Sequence, residues 1–120
     1  MTAPAAARRV LVTFNRPPHA THFHSEGLRM ALGLAAGLEE HHLEIVYLGD
    51  GVTTALAQVA RAESQRHLST LLEQGVRPKV EREALEARGI GAGELAAEFE
   101  VISRRDVLRL IRESELTIDF

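Results

Sequence analysis

The chain has 120 residues and a mass of 13.2 kDa, enough for one domain with a real core and too little for two. Its 45% hydrophobic and 26% charged residues are ordinary for a soluble globular protein, and a formal net charge of -3 spread along the chain leaves no basic stripe for nucleic acid and no polybasic patch for a lipid surface. There is no cysteine, which excludes disulfides, thiolate metal sites, thiol nucleophiles and persulfide carriage by this chain.

The opening "MTAPAAARR" lacks the basic, apolar and cleavage order of a secretory signal, and no apolar run reaches the length of a membrane span, so a cytoplasmic protein is expected. "RVLVTF", residues 9 to 14, reads as a strand buried on both faces of a parallel sheet, ended by Asn15, Pro17 and Pro18. From Thr21, taken as the N-cap, the period changes: Phe23, Gly27, Met30, Leu34 and Leu38 recur at spacings of three and four, opposite His22, Glu26, Arg29 and Glu40. This pattern predicts a long amphipathic helix.

"LEIVYLGDG" gives a second strand closed by Gly49-Asp50-Gly51, and a helix is expected to restart near Val52 or Thr53. The following stretch to Glu73 is rich in helix formers, but "RAESQRH" is polar all round and predicts a break or an exposed segment. Gly75 reads as a helix stop, "RPKVE" as a third strand, and "EALEARG" as a short helix ended at Gly89. "FEVIS" is a fourth strand, Ser103 with Asp106 a capping pair, and "RDVLRLIRESE" a last helix with Val107, Leu108, Leu110 and Ile111 on one broad face. "LTIDF" completes five strands. The alternation predicts one α/β domain over residues 1–120: three layers, with a five-stranded, mostly parallel sheet and helices on both faces.

Ligands of such sheets collect beyond the carboxyl ends of the strands. The loop from Asn15 to Ala20 and the Gly49-Asp50-Gly51 turn both belong there, which makes Asn15, His19, Thr21, His22, Glu26, Asp50 and Gly51 the candidate ligand-binding residues. His19, His22 and His24 invite a metal reading because imidazole is a common ligand. Residues 22 and 24 lie about 200° apart around a helix axis, so they do not grip one ion together; His22 and Glu26 share a face, with His19 able to approach from the loop. His19 and His22 are therefore the candidate metal ligands. No dinucleotide fingerprint, phosphate-binding loop, nucleophile elbow or zinc-protease motif is present, and no cofactor is expected.

"NRPPHATHFHSEGLRMALGLAA", "IVYLGDGV", "ALEARGI" and "DVLRLIRESELTIDF" together resemble the DsrE/DsrF-like family, which includes the sulfur-relay subunits of the Tus complex, over nearly the whole chain. Their order and spacing are most similar to the DsrF or TusC branch. The resemblance implies a five-stranded parallel sheet, assembly as trimers or hexamers, and, in active members, a persulfide-carrying cysteine shortly before the Arg-Gly motif. Glu81 stands about where that cysteine would be.

A carboxylate does not carry sulfane sulfur by thiol exchange. The first expectation is therefore a non-catalytic homo-oligomer that binds a partner protein or small ligand and is accessory to sulfur relay, beside a cysteine-bearing homologous subunit. The alternative is a small hydrolase or transferase, with or without a metal, using His22, Glu26 and Asp50 at the strand-end edge.

Overall fold

A computed structural model describes residues 8–19, 22–36, 42–59 and 62–120. Its strands are β1 (Arg9–Phe14), β2 (His42–Tyr47), β3 (Lys79–Glu81), β4 (Glu100–Ile102) and β5 (Leu116–Asp119); its helices are α1 (Phe23–Ala35), α2 (Ala62–Glu73), α3 (Arg82–Ala87) and α4 (Arg104–Glu113). The strands form one sheet in the order β4-β3-β2-β1-β5, and every pairing is parallel. From β1 to β4 the chain steps steadily toward one edge; α4 then returns it across the sheet so that β5 lies beside β1.

The return crossing puts α4 on the opposite face from the other helices. Leu28 and Ala31 of α1, Leu68 and Leu71 of α2, and Ala84 and Leu85 of α3 share one core with Val10, Val12, Phe14, Tyr47 and Val80. The other face has a smaller core of Leu11, Val46 and Val107, under α4. Of the broad apolar face expected on α4, Val107 is buried, whereas Leu108 and Ile111 remain 51% and 40% exposed. Central β1 is buried from Val10 to Phe14, as its unbroken apolar run requires.

Three local expectations are corrected. First, the buried stripe of α1 is His24, Gly27, Leu28 and Ala31 rather than one beginning at Phe23, which is 46% exposed. His24 is admitted to the core because Tyr47 places its hydroxyl 2.7 Å from His24 Nε2. Second, the segment after β2 is a 3-10 helix, Gly49–Ala55, and no α-helix restarts at Val52 or Thr53. The chain is diverted there to pair with a distant segment: Ala57 N–H donates to Glu94, Ala96 N–H donates to Ala55, and Leu56 bridges Leu95. Third, of the break or exposed segment expected at the polar stretch, the break does not occur from Ala62 onward: the stretch lies largely inside α2, with Ser64, Leu68 and Leu71 as its buried stripe and Arg66 exposed. Thr21, taken as the N-cap of α1, lies outside the described residues, as do residues 37–40; His22 occupies the N-cap position, with no side-chain capping bond.

The remaining punctuation follows the sequence. Gly89 ends α3 with φ 67°, and Ser103 Oγ accepts from Asp106 N–H at the start of α4.

Candidate functional site

The carboxyl ends of the strands gather three groups of side chains. The first surrounds β1 and β5. Asp119 Oδ1 accepts from Thr13 Oγ1 at 2.7 Å and from Asn15 Nδ2, tying the end of β5 to the end of β1. Phe120 is held by its backbone, donating to Thr13 and accepting from Asn15, and its ring stacks on Phe14 at 5.8 Å between centroids. A Cβ on Gly27 would come within 2.4 Å of Phe14 and 2.8 Å of Phe120, so this glycine lets α1 lie against both rings. Phe14 in turn stacks on Tyr47 and meets His24 edge-on. Above this aromatic floor lies an open, almost wholly apolar hollow of about 440 Å³, lined by His22, Phe23, Glu26 and Phe120. The guanidinium carbon of Arg16 sits 4.2 Å from the centre of the Phe23 ring.

The second group surrounds the end of β2. Leu48 N–H donates to Phe14, and Gly51 packs so close to β1 that a Cβ there would lie 2.0 Å from the Phe14 carbonyl oxygen. Gly49 has φ 50°, the left-handed turn its type permits. Asp50 points the other way, to α3: its Oδ1 accepts from Arg88 Nη2 at 2.8 Å and Nε at 3.2 Å.

The third group is at the end of β3. Glu81 is 7% exposed, and its carboxylate accepts from Arg104 Nη2 at 3.0 Å. Arg104 N–H donates to Glu83 Oε1 at 2.8 Å, so one arginine at the start of α4 is fastened to both ends of the β3–α3 junction. The backbone hydrogen bond from Arg104 holds the Glu83 carboxyl below the usual carboxylate range, and the Glu81 hydrogen bond raises the already high pKa of Arg104.

The candidate residues therefore divide. His22 and Glu26 meet at the hollow, with Glu26 also 3.7 Å from Arg29. Asn15 and Gly51 are framework around it. His19 is exposed on the loop, Thr21 lies outside the described residues, and Asp50 is engaged by Arg88 rather than by Glu26. No three His, Asp or Glu groups converge as metal ligands among the described residues. Sequence reasoning missed Phe23 and Phe120, the apolar walls, and Asp119, Arg88 and Arg104, the fasteners. The spacing of Phe23 points it to the core; the other four reach the edge from distant strands and helices, so only the strand order brings them forward.

The sequence model of the DsrE/DsrF-like family matches residues 8–120. The chain belongs to that family. Its fold is similar to that of the ychN protein from E. coli, with a TM-score of 0.80, 21% identity, and coverage of 96% of this chain and 100% of that one. It is similar to MTH1491, a protein of unknown function from Methanobacterium thermoautotrophicum, with a TM-score of 0.75, 23% identity, and coverage of 94% and 99%. BT1422 of Bacteroides thetaiotaomicron, also of unknown function, has a TM-score of 0.66 at 16% identity, covering 92% and 94%. None of the curated proteins matches the chain. Among the described residues, no helix is long and apolar enough to cross a membrane.

Proposed function

We propose that this chain is a non-catalytic DsrE/DsrF-like protein of the DsrF or TusC branch. It assembles as a trimer or hexamer and binds a partner protein or small ligand at the carboxyl edge of its sheet. Its setting is an accessory one in cytoplasmic sulfur relay, beside a cysteine-bearing homologous subunit. The observation that carries this reading is the pairing of Glu81 with Arg104 at the end of β3, where the family resemblance puts the sulfur-carrying cysteine in active members. A buried carboxylate held by a guanidinium offers neither a thiolate to accept sulfur nor a second thiol to pass it on.

The open hollow supports a binding role, and exposed Leu108 and Ile111 on α4 support assembly, since paired surfaces of this kind are covered in oligomers. The hydrolase or transferase reading has less support, because Asp50 is engaged by Arg88 rather than by Glu26. Its metal-dependent form predicts thermal stabilisation by added zinc or nickel.

The test is to mix the chain with a cysteine-bearing homologue and separate the mixture by size-exclusion chromatography. Co-elution in one assembly, with transferred sulfur found only on the homologue, is the expected result. Separate elution of the two would overturn the accessory role.

A further inference from the structure

We propose that the outer stripe of α4 docks an acidic amphipathic helix of a partner protein, one that carries an apolar side chain between two carboxylates. The inference rests on the reading of this chain as a subunit beside a partner, and it names the surface and the chemistry of that contact.

The stripe is centred on Leu108, which is 51% exposed. On a helix surface its neighbours are the residues three and four positions away, and these are Arg104, Arg105, Ile111 and Arg112. Ile111 is 40% exposed and widens the apolar centre, so the rim is made of three guanidinium groups. Arg104 reaches back to Glu81, whereas Arg105 and Arg112 are exposed and have no ion pair among the described residues. Elsewhere Arg8, Arg29, Arg82, Arg88 and Arg109 each have a carboxylate partner. Arg105 also stands in the first turn of α4, where the helix dipole disfavours a cation, so nothing within the described residues repays its charge.

Spacing narrows the occupant. Arg105 and Arg112 are seven residues apart, about 10 Å along the axis, with Leu108 between them. A planar guanidinium matches a carboxylate, and covering Leu108 and Ile111 supplies affinity that exposed ion pairs lack. The complement is a helix with Glu at i and i+7 and Leu at i+3. A second copy is the natural competitor, since Asp106 and Glu113 of α4 are also seven residues apart. Asp106, however, is bonded to Arg109, and Leu110 between them packs against Leu11, Val46 and Val107. A lipid surface is disfavoured because the deeper apolar side of α4, Val107 and Leu110, is committed to the sheet and not free to insert. Nucleic acid is disfavoured by the net charge of -3.

The experiment titrates labelled helical peptides with the full-length protein and follows their fluorescence anisotropy. One peptide has Glu, Leu and Glu at i, i+3 and i+7; in the second both Glu are Gln; in the third the last Glu is moved to i+5. The first is expected to bind with a Kd about tenfold below the other two, an advantage that shrinks as salt is added. Arg105→Gln with Arg112→Gln is expected to erase that advantage, and Leu108→Ser to weaken all three peptides about tenfold. These side chains are exposed, so the denaturation midpoint should not move. Equal affinity for the three peptides, or no binding of any, would overturn the inference. Tighter binding to phosphatidylglycerol vesicles or duplex DNA than to the first peptide would overturn a protein partner. Dissociation of the protein's own assembly by Leu108→Ser would show that a second copy covers the stripe, and would overturn it as well. The subunit reading is tested separately: a cysteine-bearing homologue that co-elutes equally with the parent and with the triple variant overturns docking on α4 and leaves the accessory role standing, whereas loss of co-elution in the variant alone supports both.

Discussion

Two corners of one sheet edge have been finished in opposite ways. At the end of β3, Glu81 is buried and closed over by Arg104, which also caps its backbone onto Glu83. At the end of β1, the aromatic floor of Phe14, Tyr47 and Phe120 is sealed beneath, yet the surface above it stays open between His22, Phe23 and Glu26. Charge meeting charge closes the first corner and leaves it little to offer a ligand. Apolar rings facing water leave the second corner able to gain by binding.

The contrast depends first on the framework between the corners. Gly51→Ala forces a Cβ against the Phe14 carbonyl at 2.0 Å, and chemical denaturation is expected to show a loss of about 3 kcal/mol or an insoluble product, as overpacking against backbone implies. An unchanged denaturation midpoint would mean that the 3-10 segment is free to move off β1.

Tyr47→Phe is aimed at the floor of the open corner. It removes the hydroxyl that meets His24 Nε2, and a loss of about 1 kcal/mol is expected by the same measurement.

Arg104→Met opens the closed corner. Because the guanidinium is 60% exposed, solvent screens the pair and the loss should be smaller than a fully buried pair would show. The sharper readout is thermal unfolding of the double variant Arg104→Met with Glu81→Gln: removing the carboxylate's charge should recover part of the loss, because it is the buried charge left alone that is costly. Failure of the second change to restore anything would show that Arg104 acts through packing rather than charge.

The smallest effect concerns pH. The folded pKa of Glu83 lies below its ordinary value of 4.5, so its contribution is fully present above about pH 4.5 and is lost as pH falls through the lower folded value. Glu83→Gln should therefore flatten the fall in stability on the acid side of pH 4.5 and alter its pH dependence little at neutrality.

Much of the scaffold was legible because its signals are local. The unbroken apolar run of β1, the Gly49-Asp50-Gly51 turn, the Gly89 stop and the Ser103 cap each depend on neighbours within a few residues, and the structure places all four as expected. The failures after β2 and at His24 were non-local. Ending the segment after β2 at Ala55 requires residues 94–96, and admitting His24 to the core requires Tyr47, more than twenty positions away. The site was half legible for the same reason: His22 and Glu26 lie one turn apart on α1, but Phe120 joins them only because β5 returns to the side of β1.

A binding subunit of an assembly, with its closed corner inert toward sulfur, is oligomeric in solution. Light scattering of the purified protein as it leaves a size-exclusion column tests that most directly. The account predicts a mass three or six times the 13.2 kDa of one chain, retained on dilution. A single species of 13.2 kDa at working concentration would contradict it.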